Sequence, residues 1–321
     1  MHSGKSRIAI ACTTYNHEKY IARAIESFLM QQVSEPFEIH ICDDASTDDT
    51  QRIIKTYQQK YPNIIKTYLQ KKNLWQKGYA ISKYVLFPAI SAEYVALCEG
   101  DDYFTDPLKL QKQVDFLDQH KEYAICFHPV KVTYETGKND EIFPAFPDIV
   151  KKNTFTLSDL LIKNFIQTNS CMYRWRFNST DTPKNLIPDN IMPCDHYWHL
   201  LHAETGKIGK LDEVMSVYNR RKEGIWTGIE DGDPNWYFNN ALPHIRFCLE
   251  IEKKYKNVHY SDLKKNLAMN LFIVSLEHQR YEFIAELKKY PELMQYALEM
   301  LKKINPDQDM GKLIKFILTK A

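Results

Sequence analysis

The stretch Glu93-Tyr-Val-Ala-Leu-Cys-Glu-Gly-Asp-Asp-Tyr-Phe-Thr-Asp-Pro-Leu-Lys-Leu110 decides the fold that this sequence predicts. Its first half, Tyr94–Cys98, is a nearly continuous apolar run, which is typical of a strand buried on both faces of a parallel sheet. Asp106 and Pro107 then predict the first turn of a helix with apolar residues at helical spacing. Between the strand and the helix stand three acids, Glu99, Asp101 and Asp102. We therefore expect the acids at the carboxyl end of a buried strand.

The position of these three acids indicates a binding site. Open α/β sheets bind ligands in the crevice outside the carboxyl ends of their strands. Crowded carboxylates repel one another unless they share a cation, and their oxygens suit Mg²⁺ or Mn²⁺ that arrives with substrate phosphates. An acidic turn that only caps the next helix is the alternative, and this stretch alone leaves it open.

The chain before this stretch alternates strands and helices. Apolar runs predict three earlier strands, at Arg7–Cys12, Phe37–Cys42 and Ile64–Leu69. The helix after the first strand has an apolar stripe, and further helices are predicted around Ile53–Tyr57 and over Tyr79–Ile90. The alternation predicts a parallel, Rossmann-like α/β sheet flanked by helices. Because the early loops contain neither GxGxxG nor a P-loop, dinucleotide binding and ATP hydrolysis are disfavoured.

The chain after residue 120 follows a different pattern. Three further strands are predicted, at Tyr123–Tyr134, Ser170–Arg174 and Lys207–Asn219. The segments between and after them are predicted as an irregular loop at Phe143–Asn153, a helix at Leu157–Phe165, a helix opened by Asp195, and a basic loop at Asn219–Gly228. From Pro234 on, the pattern is helical throughout. We therefore predict two domains, residues 1–232 around the sheet and residues 233–321 made of helices.

Charge, cysteine content and apolar runs indicate what kind of partner the protein has and in which compartment it works. The 321 residues carry a net charge of +1, so net charge implies no nucleic-acid partner. The seven cysteines show neither a CxxC pair nor zinc-ligand spacing, and four of them lie in apolar runs, which favours a reducing cytoplasm. The N-terminal residues lack the apolar core of a signal peptide, and no run is long enough to span a membrane. We expect a cytoplasmic protein that is at most peripheral to the membrane.

Four segments together resemble the inverting family 2 glycosyltransferases of GT-A fold. They are Thr13-Thr14-Tyr15-Asn16, Asp43-Asp44-Ala45-Ser46-Thr47-Asp48, Glu99-Gly-Asp-Asp, and Asp195 at the head of a late helix. Residues 96–113 and 206–218 resemble a bacterial subgroup of that family. The resemblance covers roughly residues 6–230 with order and spacing preserved. It implies a GT-A fold, a Rossmann-like and mostly parallel sheet flanked by helices, here followed by a C-terminal all-helical extension.

The resemblance implies a site for a nucleotide-sugar donor. Thr13, Tyr15 and Asp43 match positions that hold the nucleotide base, usually uracil, where the aspartate accepts a hydrogen bond from a ring N–H. Glu99 stands where the first aspartate of the family faces the ribose. Trp75 occupies a position where the family frequently has Gly.

The resemblance also implies which residues hold the metal and do the chemistry. Asp101 and Asp102 match the acidic pair that contacts the ribose and a divalent metal, Mn²⁺ or Mg²⁺, and we favour Asp102 as the main ligand. Asp195 matches the general base, although Cys194 replaces a frequent Glu before it. Arg221 falls where the subgroup commonly has His, which implies a role at the diphosphate.

Each of these residues also has a simpler structural interpretation. Asp43 and Asp195 could serve only as helix caps, and Arg221 could belong to a solvated basic turn. Asp44 is interpreted as a solvated cap and is left out of the predicted site. His196, His199 and His202 share one short helix, but no acid or Cys at ligand spacing supports metal binding by them.

The sequence therefore predicts a metal-dependent, inverting glycosyltransferase, either a hexosyl- or an N-acetylhexosaminyl-transferase. It would move a sugar from a nucleotide diphosphate donor, a UDP-sugar, to a hydroxyl of a glycan or lipid-linked acceptor. The assignment to bacterial surface polysaccharide assembly rests on the resemblance alone. A nucleotidyltransferase is one alternative, but it would need a Gly-rich basic loop after the first strand. A vestigial nucleotide- or carbohydrate-binding protein is another, and the intact acids argue against it.

The C-terminal helices lie outside the resemblance and have two interpretations. They form a bundle that covers the sheet or pairs with a second copy in a homo-oligomer, or their flanking lysines make a peripheral contact at the inner face of the cell membrane. The sequence favours the bundle, because apolar stripes run along these helices.

Overall fold

The computed structural model describes residues 6–177, 182–222, 224–230, 232–306 and 309–320. These residues form two compact units. The first contains the described residues up to Asp189 together with Cys194–Arg221, and the second contains Asn190–Pro193 and the described residues from Lys222 on. The division into two folding domains at residue 232 stays a prediction.

The first unit begins with the alternating pattern that the sequence predicts. Its strands and helices, in chain order, are β1 (Ile8–Thr14), α1 (Ile21–Leu29), β2 (Phe37–Asp43), α2 (Thr50–Lys60), β3 (Ile65–Leu69), a 3₁₀ turn (Trp75–Lys77), a π-helical segment (Ser82–Leu86), α3 (Phe87–Ala89) and β4 (Tyr94–Leu97). The predicted stripe of α1 is buried, with Ile21, Ile25 and Phe28 fully inaccessible against the sheet. Burial of each such side chain contributes roughly 1.5–3 kcal/mol, which holds the helix on β1 and β2.

The rest of the first unit has shorter elements. They are β5 (Tyr103–Phe104), α4 (Lys109–Gln119), β6 (Tyr123–Phe127), β7 (Val130–Tyr134), β8 (Glu141–Phe143), α5 (Pro147–Val150), β9 (Thr154–Phe155), α6 (Leu157–Ile162), a 3₁₀ turn (Thr168–Ser170), β10 (Met172–Arg174), α7 (Pro183–Leu186), α8 (Cys194–Ala203), β11 (Lys207–Lys210) and β12 (Ser216–Arg220).

The described strands form two sheets. The larger has the order β3-β2-β1-β4-β10-β6-β11-β9, and its first four strands are parallel. Strand β10 runs antiparallel to both β4 and β6, so the sheet as a whole is mixed. The smaller sheet has the order β5-β12-β7-β8. Because Thr14 pairs with Asp43 and Ala11 with Leu97, the carboxyl ends of β1, β2 and β4 meet at one edge.

Two predictions of long strands are wrong. The predicted strand Tyr123–Tyr134 breaks at His128 and Pro129 into β6 and β7, which belong to different sheets. Proline cannot donate to a ladder, so it suits the corner between two sheets. The predicted strand Lys207–Asn219 likewise divides into β11 in the larger sheet and β12 in the smaller.

Three other predicted boundaries also shift. The helix after Asp106 begins only at Lys109, because the Asp106 carboxylate accepts a hydrogen bond from the Leu108 N–H (2.8 Å) and so heads a turn. The helix predicted over Tyr79–Ile90 is the π-helical segment followed by α3. The loop predicted over Phe143–Asn153 contains α5.

The second unit consists of helices in the residues that the structure describes. They are α9 (Ile225–Glu230), α10 (Pro234–Lys254), α11 (Ser261–Glu277), α12 (Tyr281–Leu287), α13 (Pro291–Ile304) and α14 (Met310–Lys320). The loop predicted over Asn219–Gly228 therefore runs into α9, although its residue 223 lies outside the described residues. None of the described helices is both long enough and apolar enough to cross a membrane.

An ion-pair network lies at the amino-terminal ends of β1 and β4, opposite the carboxyl ends that carry the predicted site. The Arg7 guanidinium, just before β1, donates to Glu35 (2.5 Å), Glu93 (2.6 Å) and Asp118 (2.5 Å). The Arg7 backbone carbonyl also accepts hydrogen bonds from the N–H groups of Glu93 and Tyr94. Arg7 lowers the pKa of Asp118 and the pKa of Glu93, chiefly through these side-chain hydrogen bonds. One side chain thereby joins the starts of β1 and β4 to α4.

We expect Arg7→Gln to destabilise the protein by about 1–2 kcal/mol at neutral pH, since three carboxylates lose a partly solvated partner. The stabilisation that arises from Glu93 and Asp118 is present above pH values near 4–4.5, where these two acids ionise in the unfolded chain, and is lost as pH falls through their lower folded pKa values. The variant should therefore lose less stability than the wild type between pH 6 and pH 3. Urea unfolding followed at both pH values measures the effect.

Arg52→Gln is the matched control, because Arg52 forms an exposed ion pair with Asp49 one turn away and its loss should leave the urea midpoint unchanged. Arg7→Lys keeps the charge but not the forked donors, so it should recover part of the stability. Equal unfolding midpoints for Arg7→Gln and Arg52→Gln would contradict the role given to Arg7.

Candidate active site

Most of the predicted site residues lie at or just after the carboxyl ends of strands in the first unit. Thr13 is the second-last residue of β1 and Tyr15 follows that strand, Asp43 ends β2, the acidic turn follows β4, and Arg221 follows β12. Asp195 lies in the first turn of α8. The Tyr15 ring is 36% exposed. In a parallel sheet this edge is the usual position of a ligand crevice.

Asp43 is fully buried and organises the loop after β2. Its carboxylate accepts hydrogen bonds from the Ser46 backbone N–H (2.9 Å), the Ser46 hydroxyl and the Gln51 side-chain amide (2.5 Å). A carboxylate has about four acceptor positions, and protein donors occupy three of those of Asp43, which is fully buried in this structure. The prediction that it meets the nucleotide base stays a prediction.

Asp44 is buried as well, so its interpretation as a solvated cap is wrong. Its carboxylate accepts hydrogen bonds from the backbone N–H groups of Leu74 (2.7 Å) and Trp75 (3.0 Å), and its carbonyl accepts one from the Asn73 side chain (3.0 Å). Burial raises the pKa of Asp44, and these backbone N–H groups oppose the shift. Asp44 thus fixes the loop between β3 and the π-helical segment.

The acidic turn after β4 depends on a glycine. The Gly100 N–H donates to the Thr13 carbonyl (2.9 Å), and the Asp102 N–H donates to the Glu99 carbonyl (3.1 Å). A Cβ atom at Gly100 would lie 2.5 Å from the Thr14 hydroxyl oxygen and 2.7 Å from the Thr14 Cβ. Only glycine allows the acidic turn to pack this closely on the end of β1.

Asp102 is the most enclosed of the three acids, with 1% of its surface exposed. One carboxylate oxygen accepts a hydrogen bond from the Asn219 backbone N–H (2.9 Å), and the other accepts one from the Asn169 side chain (3.0 Å). Burial first, and then the charges of Asp101 and Glu99, raise the pKa of Asp102 well above its usual value. Asp102 therefore joins the acidic turn to β12 and to the turn before β10.

Asp101 is partly exposed and has a cationic neighbour. The Arg221 guanidinium donates to its carboxylate at 2.6 Å, and a His17 ring nitrogen lies 3.5 Å from the same oxygen. Burial lowers the pKa of His17, so the imidazole is a neutral neighbour at pH 7. The Arg221 guanidinium also lies 5.6 Å from the centre of the Tyr20 ring. The structure thus brings Arg221 and Asp101 together, and the role predicted for Arg221 at a diphosphate stays a prediction.

Glu99 is the most exposed of the three acids. Desolvation by the surrounding protein first, and then the negative charges of Asp101 and Asp195, raise its pKa. The Glu99 carboxylate therefore interacts electrostatically with Asp101 in the acidic turn and with Asp195 in α8.

Asp195 lies at the start of α8, where a carboxylate interacts favourably with the helix dipole. The Thr168 hydroxyl donates to its Oδ2 at 3.2 Å. Burial raises the pKa of Asp195, while the His196 backbone N–H and Thr168 act in the opposite direction. A carboxylate whose pKa is raised but which still receives hydrogen bonds can accept a proton at neutral pH.

The three histidines of α8 are structural. His196 bonds to the Leu160 carbonyl (2.9 Å), His199 to the Tyr173 hydroxyl (2.6 Å) and His202 to the Trp198 carbonyl (2.9 Å). In the part of the chain that the structure describes, no group of three or more His, Cys, Asp or Glu is arranged to hold a metal. A cation here would need oxygens from a substrate, and Mg²⁺ is often bound by one or two carboxylates together with substrate phosphates.

Sequence reasoning missed four residues of this site, which are Gly100, His17, Thr168 and Asn169. For Gly100 and His17 the signal was available, since both stand beside acids or strand ends that the sequence marks. Thr168 and Asn169 carried no signal, because the acids they contact are 27 and 67 residues away in the chain.

Comparisons with known proteins agree with this geometry. A family model described as Glycosyl transferase family 2 matches residues 9–180. Uncharacterized protein Rv1520 of Mycobacterium tuberculosis is 46% identical over 219 residues, which make up 68% of this chain. The match spans 60% of the length of that curated relative.

Two solved structures share the fold. The 1–349 fragment of S. aureus TarS in complex with UDP-GlcNAc is 19% identical with a TM-score of 0.56, and the match covers 92% of this chain and 81% of that one. The mannosyltransferase PcManGT from Pyrobaculum calidifontis, in complex with GDP-Man and Mn²⁺, is 12% identical with a TM-score of 0.56, and the match covers 95% and 89%.

These likenesses confirm the predicted GT-A fold, a mixed α/β sheet with flanking helices and a C-terminal helical extension. The family model spans more than half of the chain and includes the ends of β1, β2 and β4 with their acids. The chain therefore belongs to glycosyl transferase family 2.

Proposed function

We propose that this glycosyltransferase is metal-dependent and inverting, and that it moves a hexosyl or N-acetylhexosaminyl group from a UDP-sugar to a hydroxyl of a glycan or lipid-linked acceptor. The observation that carries the proposal is the separation of two kinds of carboxylate. Asp101 forms an ion pair with Arg221. Asp195 lies on a different element, and its carboxylate accepts a hydrogen bond from the neutral hydroxyl of Thr168. Inverting transfer needs one base for the acceptor and one cationic group for the leaving diphosphate.

The donor end consists of Asp43, Glu99, Asp101 and Arg221 in this proposal. The resemblance places Thr13, Tyr15 and Asp43 at the base, and Asp43, which is fully buried in this structure, would have to become accessible for its carboxylate to accept the base N–H. Glu99, which reaches the solvent, faces the ribose. The printed titles of TarS and PcManGT name UDP-GlcNAc and GDP-Man as their ligands, which supports a nucleotide-sugar donor here. UDP is favoured over GDP because the residues at the base resemble uracil-binding positions.

Our proposal for the metal differs from the sequence prediction, which favoured Asp102 as the main ligand. Both oxygens of Asp102 already accept hydrogen bonds and the residue is 1% exposed, whereas Asp101 is partly exposed. Hard carboxylate oxygens fit Mn²⁺ or Mg²⁺. Asp101 would therefore hold the cation and Asp102 would hold the turn. When bound, the cation neutralises charge on the departing diphosphate.

The acceptor end consists of Asp195. Its ionised carboxylate takes the proton from the acceptor hydroxyl as the oxygen attacks the anomeric carbon, and a raised pKa makes it a stronger base. Asp195 and Arg221 both lie beyond the residues that the family model matches, so their roles rest on the resemblance and on these contacts.

We further propose that the protein acts in surface polysaccharide assembly in the cytoplasm, peripherally at the inner face of the cell membrane. The C-terminal helices would then contact the membrane or a second copy. An exposed Phe316 beside Lys315 on α14 supports the membrane contact.

Donor and metal use can be tested together by thermal unfolding and by hydrolysis of a panel of UDP- and GDP-sugars. We expect a UDP-sugar with Mn²⁺ to raise the melting temperature, since a ligand present at 100 times its Kd contributes about 2.7 kcal/mol. A chelator should remove most of that shift and abolish turnover. Asp101→Asn should behave like chelation, while Asp49→Asn, at an exposed residue of the α2 cap, should behave like the wild type. Full turnover in chelator would exclude the metal role.

The role of Asp195 can be tested by Asp195→Asn, which keeps size and capping ability but removes the base. Turnover should fall about 10²–10⁴-fold while donor affinity stays near that of the wild type. In the wild type, kcat should decline as pH falls through the raised pKa of Asp195, at a higher pH than for an ordinary aspartate. An Asp195→Asn variant that transfers normally but no longer binds UDP would make Asp195 a structural cap.

A further inference from the structure

The turn Thr168–Ser170 contacts the proposed base, Asp195, and the carboxylate that holds the acidic turn, Asp102. The Thr168 hydroxyl donates to Asp195, and the side chain of its neighbour Asn169 donates to Asp102. We propose that Thr168 is a positioning residue that orients the Asp195 carboxylate, and that its turn is rigid enough to do so. This inference rests on the proposed function of Asp195 as the base.

Asn169 anchors the turn at its centre. The residue is fully buried, and its side-chain amide donates to the Val217 carbonyl (2.8 Å) as well as to Asp102 (3.0 Å). Its side-chain oxygen accepts a hydrogen bond from the Ser216 hydroxyl (3.1 Å). Three strong contacts on one side chain leave it a single orientation. The turn is therefore fixed to both the acidic turn and β12.

Ser170 and Gln113 anchor the end of the turn. The Ser170 N–H and hydroxyl both donate to the Gln167 carbonyl, at 2.9 and 2.6 Å. The buried Gln113 side chain donates to the carbonyls of Ser170 (2.9 Å) and Cys126 (3.0 Å), and it accepts a hydrogen bond from Lys109 (2.9 Å). Residues of a functional site are held well when such partners fix them in turn. The backbone of Thr168 is thus supported from both sides.

The Thr168 side chain is almost fully buried. It is 5% exposed and borders a narrow crevice that Thr13, Glu99 and Trp198 also line. The volume of this crevice is about 10 Å³, which is room for roughly one water molecule. A sugar cannot enter it, so Thr168 is a contact of Asp195 and not of the substrate.

Several charged or titratable groups surround Asp195, and its behaviour with pH must be judged against all of them. Glu99 approaches it from the end of β4, Cys171 from the residue before β10, Tyr173 from β10, and Cys194 from its own helix. The cysteines and Tyr173 are neutral at pH 7, because burial raises their pKa values, and the His196 imidazole is neutral because burial lowers its pKa to about 4. Two donors stabilise the ionised form of Asp195, first the His196 backbone N–H and then the Thr168 hydroxyl.

The test is Thr168→Val, which keeps the shape of the side chain and removes the donor. We expect kcat to fall roughly 10-fold to 100-fold, as for a misplaced reacting group, with the KM for the donor and UDP binding unchanged. The acidic limb of the kcat profile should move to higher pH, because the ionised carboxylate loses a hydrogen bond. Thr168→Ser keeps the hydroxyl donor, so it should have the wild-type kcat and the wild-type acidic limb of the kcat profile. If Thr168→Val does not fold, Thr168→Cys, a weak donor of similar size, replaces it.

The matched control is Thr205→Val. The Thr205 hydroxyl donates to the His202 carbonyl (2.8 Å) at the far end of α8, so its loss should change neither kcat nor the pH profile. A folded Thr168→Val with wild-type kcat and pH limb would overturn the inference, as would one that loses UDP binding. If Asp195→Asn transfers at the wild-type rate, the proposed base itself fails. If the Asp195→Asn variant is slow but the Thr168→Val variant has the wild-type kcat, only the role of Thr168 is overturned.

Discussion

Burial of the Asp102 carboxylate is the constraint on which the rest of the site depends. A carboxyl group with 1% exposure is tolerated only when its oxygens are hydrogen-bonded. Here the partners come from the Asn169 side chain and the Asn219 backbone, so three separate segments must meet at one point. The acidic turn, the turn before β10 and the end of β12 are held together by this requirement. Arg221, two residues after Asn219, reaches Asp101 because β12 is fixed in this position.

The same arrangement explains why neighbouring acids have different tasks. Asp102 faces inward and is satisfied by protein donors, while Asp101 faces the cleft with a guanidinium beside it. Asp195 lies on a different element, and the structure gives it a hydroxyl instead of a cation. The distinction therefore arises from the partner that each carboxylate meets, and not from the residue type. Adjacent acids in a sequence are no guide to which of them binds a ligand.

The fold was largely predictable from the sequence, and the site was predictable in part. Apolar runs marked β1, β2 and β4, because strands buried on both faces need continuous apolar residues, and acids follow the second and third of these runs. The corner at Pro129 was not predicted, since the residues on both sides of it are strand-forming and only their assignment to different sheets separates them. The functions of Asp44, Thr168 and Asn169 depend on partners that are remote in the chain, which no local pattern contains. Local patterns mark where a strand ends, but they do not specify which way a carboxylate turns.

The division of the described strands into two sheets also affects how this protein can contact other chains. A free strand edge presents unpaired N–H and C=O groups that can recruit another polypeptide. Among the described strands, three of the four sheet edges are β5, β8 and β9, which have only two or three residues each. The fourth, β3, carries Lys66, which is paired with Glu38 at 2.7 Å. Short or charged edge strands of this kind protect the first unit against ordered self-association at high concentration.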